Sequence, residues 1–71
     1  MRRERPVDPL MAEFRTRRLE IGLTQAELSY RAGIDETTIR KCEAGKVSPM
    51  LTTLRAWAGA LGVDLRMEAK G

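Results

Sequence analysis

The sequence contains no histidine and a single cysteine, Cys42. One thiol cannot form an internal disulfide, and without imidazole the usual metal-ligand sets and general bases are missing. No nucleophile–base pair or glycine-rich phosphate loop takes their place, so the chain does not read as an enzyme, and no cofactor or metal is expected. Long apolar runs are also lacking. No stretch approaches the roughly 20 residues that a membrane helix needs. The opening "MRRERPVDP" is not followed by a signal-peptide core, because Glu13, Arg15, Arg17 and Arg18 interrupt what comes next. A cytoplasmic location is the expectation.

What is present fits one small soluble domain. Its 71 residues are 42% hydrophobic and 32% charged, and a chain of this size buries about 60% of its unfolded surface, which leaves a thin margin of stability. Thirteen Lys and Arg against ten Asp and Glu give a net charge of +3. That balance favours a polyanionic partner, although an ordinary basic surface would give the same number.

Residues 1–9 hold five charges and two prolines with no helical period, and read as a flexible N-terminal arm. From Leu10 a helix is expected, with Leu10, Met11, Phe14, the Arg18 stem, Leu19 and Ile21 near a 3.6-residue period and Gly22 at its end. Thr24 and Glu27 form a capping box that opens a second helix, with Leu28 and Ala32 inward and Gly33 as its stop. Asp35 caps a third helix, with Ile39 and Cys42 inward and Glu36, Thr37, Arg40 and Lys41 on the other face. Gly45 ends it. Ser48 as N-cap and Pro49 at the first helical position then open a fourth helix, whose apolar face is Leu51, Leu54, Trp57, Ala58 and Leu61. Gly62 closes that helix.

The tail "VDLRMEAKG" changes period: Val63, Leu65 and Met67 alternate with Asp64, Arg66 and Glu68, which is a strand pattern. A lone strand in a helical monomer has unpaired backbone groups unless a second chain supplies partners, so the alternatives are a frayed tail or a dimerisation segment over 63–71.

Two helices joined by a short turn with glycine form the supersecondary unit that sets a helix into the DNA major groove. Small Ser29 at the crossing, Gly33 in the turn, and Leu28, Ile34, Ile39 and Cys42 as anchors are the residue types this geometry needs. The stretch "GLTQAELSYRAGIDETTIRKCEAGKVSPMLTTLRAWAGALGVDL" resembles the Cro/C1-type (XRE) helix-turn-helix family, with "LTQAEL", the Gly33 turn, "EAGK" and "P-x-L-x-T-L…ALGV" in order at the family's spacing. The likeness covers about residues 10 to 65. It departs at Cys42, where a larger apolar residue is common, and at Trp57, where leucine is common. Both belong to the core on this reading.

The resemblance implies an all-α, four-helix, lambda-repressor-like domain over 10–62 with a short C-terminal β-strand, and it implies roles for particular residues. Thr24, Gln25, Thr38 and Lys46 are then DNA phosphate ligands, Gln25 through side chain and amide together. Glu36, Thr37, Arg40 and Lys41 occupy the base-reading face. Arg40 or Lys41 can donate to guanine, Thr37 can touch a thymine methyl, and Glu36 either accepts from cytosine N4 or only complements the helix dipole. Arg18 and Glu43 would meet in a partly buried, structural salt bridge. A homodimer is implied because one small module reads too few base pairs, with Val63, Leu65 and Met67 pairing across a two-fold axis. The segment "LTTLRAWAGALGVDLRMEAK" is also similar to HipB-type antitoxins, which implies a regulator, most simply a repressor, with a cognate toxin partner. The opposing expectation is a protein-interaction module that keeps the fold without binding specific DNA.

Overall fold

The computed structural model describes residues 7–70. It contains four helices: α1 Pro9–Glu20, α2 Gln25–Ala32, α3 Glu36–Glu43 and α4 Leu51–Leu61. Helix α2 packs on both α3 and α4, and α1 closes the assembly against the same two helices.

The first helix begins earlier than its period suggests. Asp8 is the N-cap and accepts from the Leu10 amide at 2.8 Å, with Pro9 at the first helical position. An acceptor side chain followed by a residue without an N–H is a favourable helix start. Residues 7–9 of the expected arm therefore belong to the folded domain, while 1–6 lie outside the described residues. Val7 packs against Gly45, where an added Cβ would come within 3.2 Å of Val7 Cγ2.

The next two helices follow their local signals. Thr24 Oγ1 accepts from the Glu27 amide at 3.0 Å, and Glu27 Oε1 accepts from the Thr24 amide at 2.8 Å, so two orphan donors of α2 are satisfied reciprocally. Gly33, at φ 70°, ends α2 in the left-handed region. Ser29 Oγ donates to the Ile34 carbonyl and ties that turn back to the helix. Asp35 caps α3 by accepting from the Thr37 amide at 3.0 Å.

The start of α4 differs from expectation. Met50, not Ser48, is the N-cap, no side chain bonds to this end, and Pro49 lies before the helix. The first helical bond runs from the Leu54 amide to the Met50 carbonyl at 2.8 Å. The phase is set by the inward face of Leu54, Trp57, Ala58 and Leu61 rather than by capping chemistry.

The core joins Met11, Phe14, Leu23, Leu28, Ile34, Ile39, Cys42, Trp57, Ala58 and Leu61. Phe14 and Trp57 meet edge to face with centroids 5.8 Å apart, an arrangement the ring quadrupoles favour. Leu10, Leu19, Ile21 and Leu51, assigned by period to inner faces, are exposed. Helix α1 is buried along a narrow line, Met11, Phe14 and Arg18, so residues at its flanks stay at the rim.

No strand forms among the described residues. Residues 63–70 run on from α4 without regular structure; Val63 and Leu65 rest half-buried against the core, and Met67 is 96% exposed. The alternation holds through Arg66, but a single chain offers no ladder for it to join, and apolar alternation alone cannot close backbone hydrogen bonds.

Candidate nucleic-acid interface

Helix α3 divides cleanly by face. Ile39, Cys42 and Glu43 point inward, whereas Glu36, Thr37, Arg40 and Lys41 are exposed and related by the three- and four-residue steps that keep side chains on one side of a helix. Arg40 Nη2 lies 3.5 Å from Thr37 Oγ1, a long contact that leaves both groups available. One acid and two bases give this face a net positive charge. Thr38 is half-buried beside it, and Lys46 is exposed in the loop after α3.

Beneath that face lies a polar cluster drawn from three helices. Arg18 Nε donates to Glu43 Oε2 and Arg18 Nη2 to Glu43 Oε1, each at 2.8 Å, and Arg18 Nη1 donates to the Leu23 carbonyl at 2.7 Å. Both residues are 6% exposed. Such a two-pronged pair fixes the roll of α3 against α1 as well as neutralising two buried charges. Burial opposes the charged form of Glu43, but hydrogen bonds from Arg18 and Gln25 and the charges of Arg18 and Arg15 outweigh it and hold the carboxyl below its usual pKa. The Glu43 hydrogen bonds raise the pKa of Arg18 against the lowering effect of burial.

Gln25, the first residue of α2, donates from Nε2 to Glu43 Oε1 at 3.0 Å. Its side chain is thus already held by the carboxylate that pairs with Arg18. Thr24 is exposed, and its hydroxyl oxygen accepts within the capping box. The Glu27 carboxyl of that box is held below its usual pKa, chiefly by the Thr24 amide and then by the Thr24 hydroxyl.

The sequence-derived candidates therefore fall into two groups. Glu36, Thr37, Arg40 and Lys41 share the outer face of α3, while Gln25, Arg18 and Glu43 converge on one carboxylate. Two features escaped sequence reasoning. The Gln25–Glu43 bond spans 18 residues and has no local signature. Arg15, whose Nε lies 3.9 Å from Glu43 Oε1, could have been found as the residue three before Arg18 on the same helix face.

The chain belongs to the helix-turn-helix family, whose model matches residues 14–67; this is the Cro/C1-type family that its motifs resemble. An uncharacterized HTH-type transcriptional regulator of Methanothermobacter thermautotrophicus is 46% identical over 49 residues, covering 69% of this chain and 71% of that protein. Among solved structures, HipB in a HipB–O2 20-mer complex superposes with a TM-score of 0.79 at 27% identity, covering 99% of each chain. A chain described as MDT Protein gives 0.79 at 25% identity, covering 99% of this chain and all of the other. A chain of a HipA–HipB–O2–O3 complex gives 0.82 at 22% identity over the whole of both chains, a likeness of fold.

Proposed function

We propose that this protein is a sequence-specific DNA-binding transcriptional repressor that binds a palindromic operator as a homodimer, with α3 in the major groove. The observation that carries this reading is the outer face of α3. Glu36, Thr37, Arg40 and Lys41 stand exposed on a short helix whose roll is locked by the Arg18–Glu43 pair. Arg40 and Lys41 supply donors for guanine O6 and N7, and Thr37 a methyl for thymine. Gln25, Thr24, Thr38 and Lys46 border that face and serve as backbone ligands that position it without reading sequence.

The homodimer follows from the tail. Val63 and Leu65 rest on the core and Met67 stands clear; the Val63 amide donates to the Ala58 carbonyl at 3.0 Å, but beyond it the backbone of 64–68 makes no backbone hydrogen bond among the described residues. Pairing two such segments antiparallel across a two-fold axis would satisfy both backbones and cover Met67. It would also set two α3 helices about one DNA turn, roughly 34 Å, apart. The likeness to HipB adds a protein partner: a HipA-like toxin encoded beside the gene, with this chain as its autoregulating antitoxin.

Selection from a random DNA pool, with stoichiometry by native mass spectrometry, tests the reading. A palindrome bound by two chains is expected. A monomer with no enriched sequence and no salt-dependent duplex binding would instead favour a protein-interaction module. Within the complex, Lys41→Ala should relax sequence preference, while Gln25→Ala should weaken all duplexes alike; equal, sequence-independent effects of both would remove α3 from base reading.

A further inference from the structure

We infer that Arg15 is a DNA-backbone ligand, forming with Gln25 one phosphate-binding site bridged by Glu43. This role rests on the DNA-binding reading above. Glu43 carries one negative charge, and Arg18 already engages both of its oxygens at 2.8 Å. Arg15 is therefore a second cation beside a carboxylate that is already matched. Its Nε stands 3.9 Å from Glu43 Oε1, inside ion-pair range but too long for a hydrogen bond, and its side chain is 57% exposed. Attraction to Glu43 keeps the guanidinium close without consuming its donors. The surplus positive charge of the cluster thus resides at its solvent edge, on Arg15.

The oxygen that Arg15 faces is the same one that accepts from Gln25 Nε2 at 3.0 Å. One carboxylate oxygen therefore brings together a residue of α1 and the first residue of α2. A phosphate seated on Gln25 finds an arginine beside it, and the guanidinium fork matches phosphate oxygens better than any other side chain. Glu43 is the positioning residue of this site. Sheathed by Arg18, Gln25 and Arg15, it orients both ligands while its own charge is screened from the phosphate.

The test measures binding of the full chain to its selected operator and to an unrelated duplex, across salt concentrations, for the wild type, Arg15→Gln and Arg15→Lys. Arg15→Gln should lose affinity several-fold on both duplexes by the same factor. The slope of log K against log salt should fall by about 0.9 for each protomer bound. Arg15→Lys should keep the wild-type slope, which a merely structural role would not require, and thermal unfolding of all three should coincide. Wild-type affinity and slope in Arg15→Gln, with the wild type still binding steeply, would overturn the assignment and leave the DNA reading standing. Loss confined to the operator would overturn it too, by making Arg15 a base contact. If the wild type itself shows no salt-dependent duplex binding, the DNA reading fails and Arg15 falls with it.

Discussion

Glu43 is the residue on which stability and the candidate site both turn. Removing one partner of a buried ion pair leaves the other uncompensated, at a cost of roughly 3 to 5 kcal/mol. Arg18→Met should therefore destabilise the domain severely, and the double variant Arg18→Met with Glu43→Leu should recover much of the loss. Urea unfolding followed by the fluorescence of Trp57, the only tryptophan and fully buried, measures both. Acid should reproduce part of the effect. The folded-state pKa of Glu43 lies below its ordinary 4.5, so its contribution is complete above the unfolded value and disappears as pH falls through the folded one. A urea midpoint that drops below about pH 4.5 in the wild type, but less steeply in the double variant, is the expected outcome.

At the scale of elements, the helices separate by what specifies them. Thr24→Ala removes half of a reciprocal cap and should cost about 1 kcal/mol, read as a lower urea midpoint and faster amide exchange in the first turn of α2. Gly33→Ala forces a Cβ into the left-handed region at φ 70° and should cost roughly 1 to 2 kcal/mol, although nothing crowds that position. These sites were legible in the sequence because their chemistry is local: a hydroxyl and a carboxylate three residues apart, an Asp before a turn of helix, a glycine after one. Asp8-Pro9 carries the same kind of local signal, an acceptor side chain before a proline at the first helical position, and it sets the start of α1 ahead of the apolar period. Where no local device exists, sequence reasoning misplaced the boundary, as at Ser48-Pro49 before the uncapped α4. Period also overreached at Leu10, Leu19, Ile21 and Leu51, because it marks a stripe as apolar without saying how wide a stripe the neighbouring helices cover. The Arg15–Glu43–Gln25 convergence lay beyond reach for a related reason: it depends on how three helices meet.

For the whole molecule, the decisive unknown to the single chain is a second copy. The strand expected over 63–71 is absent from the described residues because pairing is a property of two backbones, and the sequence pattern specifies only which side chains would face inward. Met67→Lys places a charge at the proposed seam on a side chain 96% exposed in the single chain, leaving α1–α4 intact. It should shift native mass spectra from dimer to monomer and abolish two-to-one binding to a palindrome, with half-site binding retained. A dimer that survives this change would move the interface elsewhere, and the exposed cluster Val47, Met50 and Leu51 would become the next surface to test.

Cys42 is wholly buried beside Glu43, and burial, with a smaller contribution from that carboxylate, raises its thiol pKa. The folded domain therefore hides its sole thiol behind the joint between α3 and α1. A thiol reagent can reach it only when that joint parts, so the alkylation rate becomes a clock for opening. With opening fast relative to labelling, each 1.4 kcal/mol of added stability should slow the reaction about tenfold. Duplex DNA seated on α2 and α3, as proposed, should slow it further, so that alkylation of a buried thiol reports occupancy of the proposed interface.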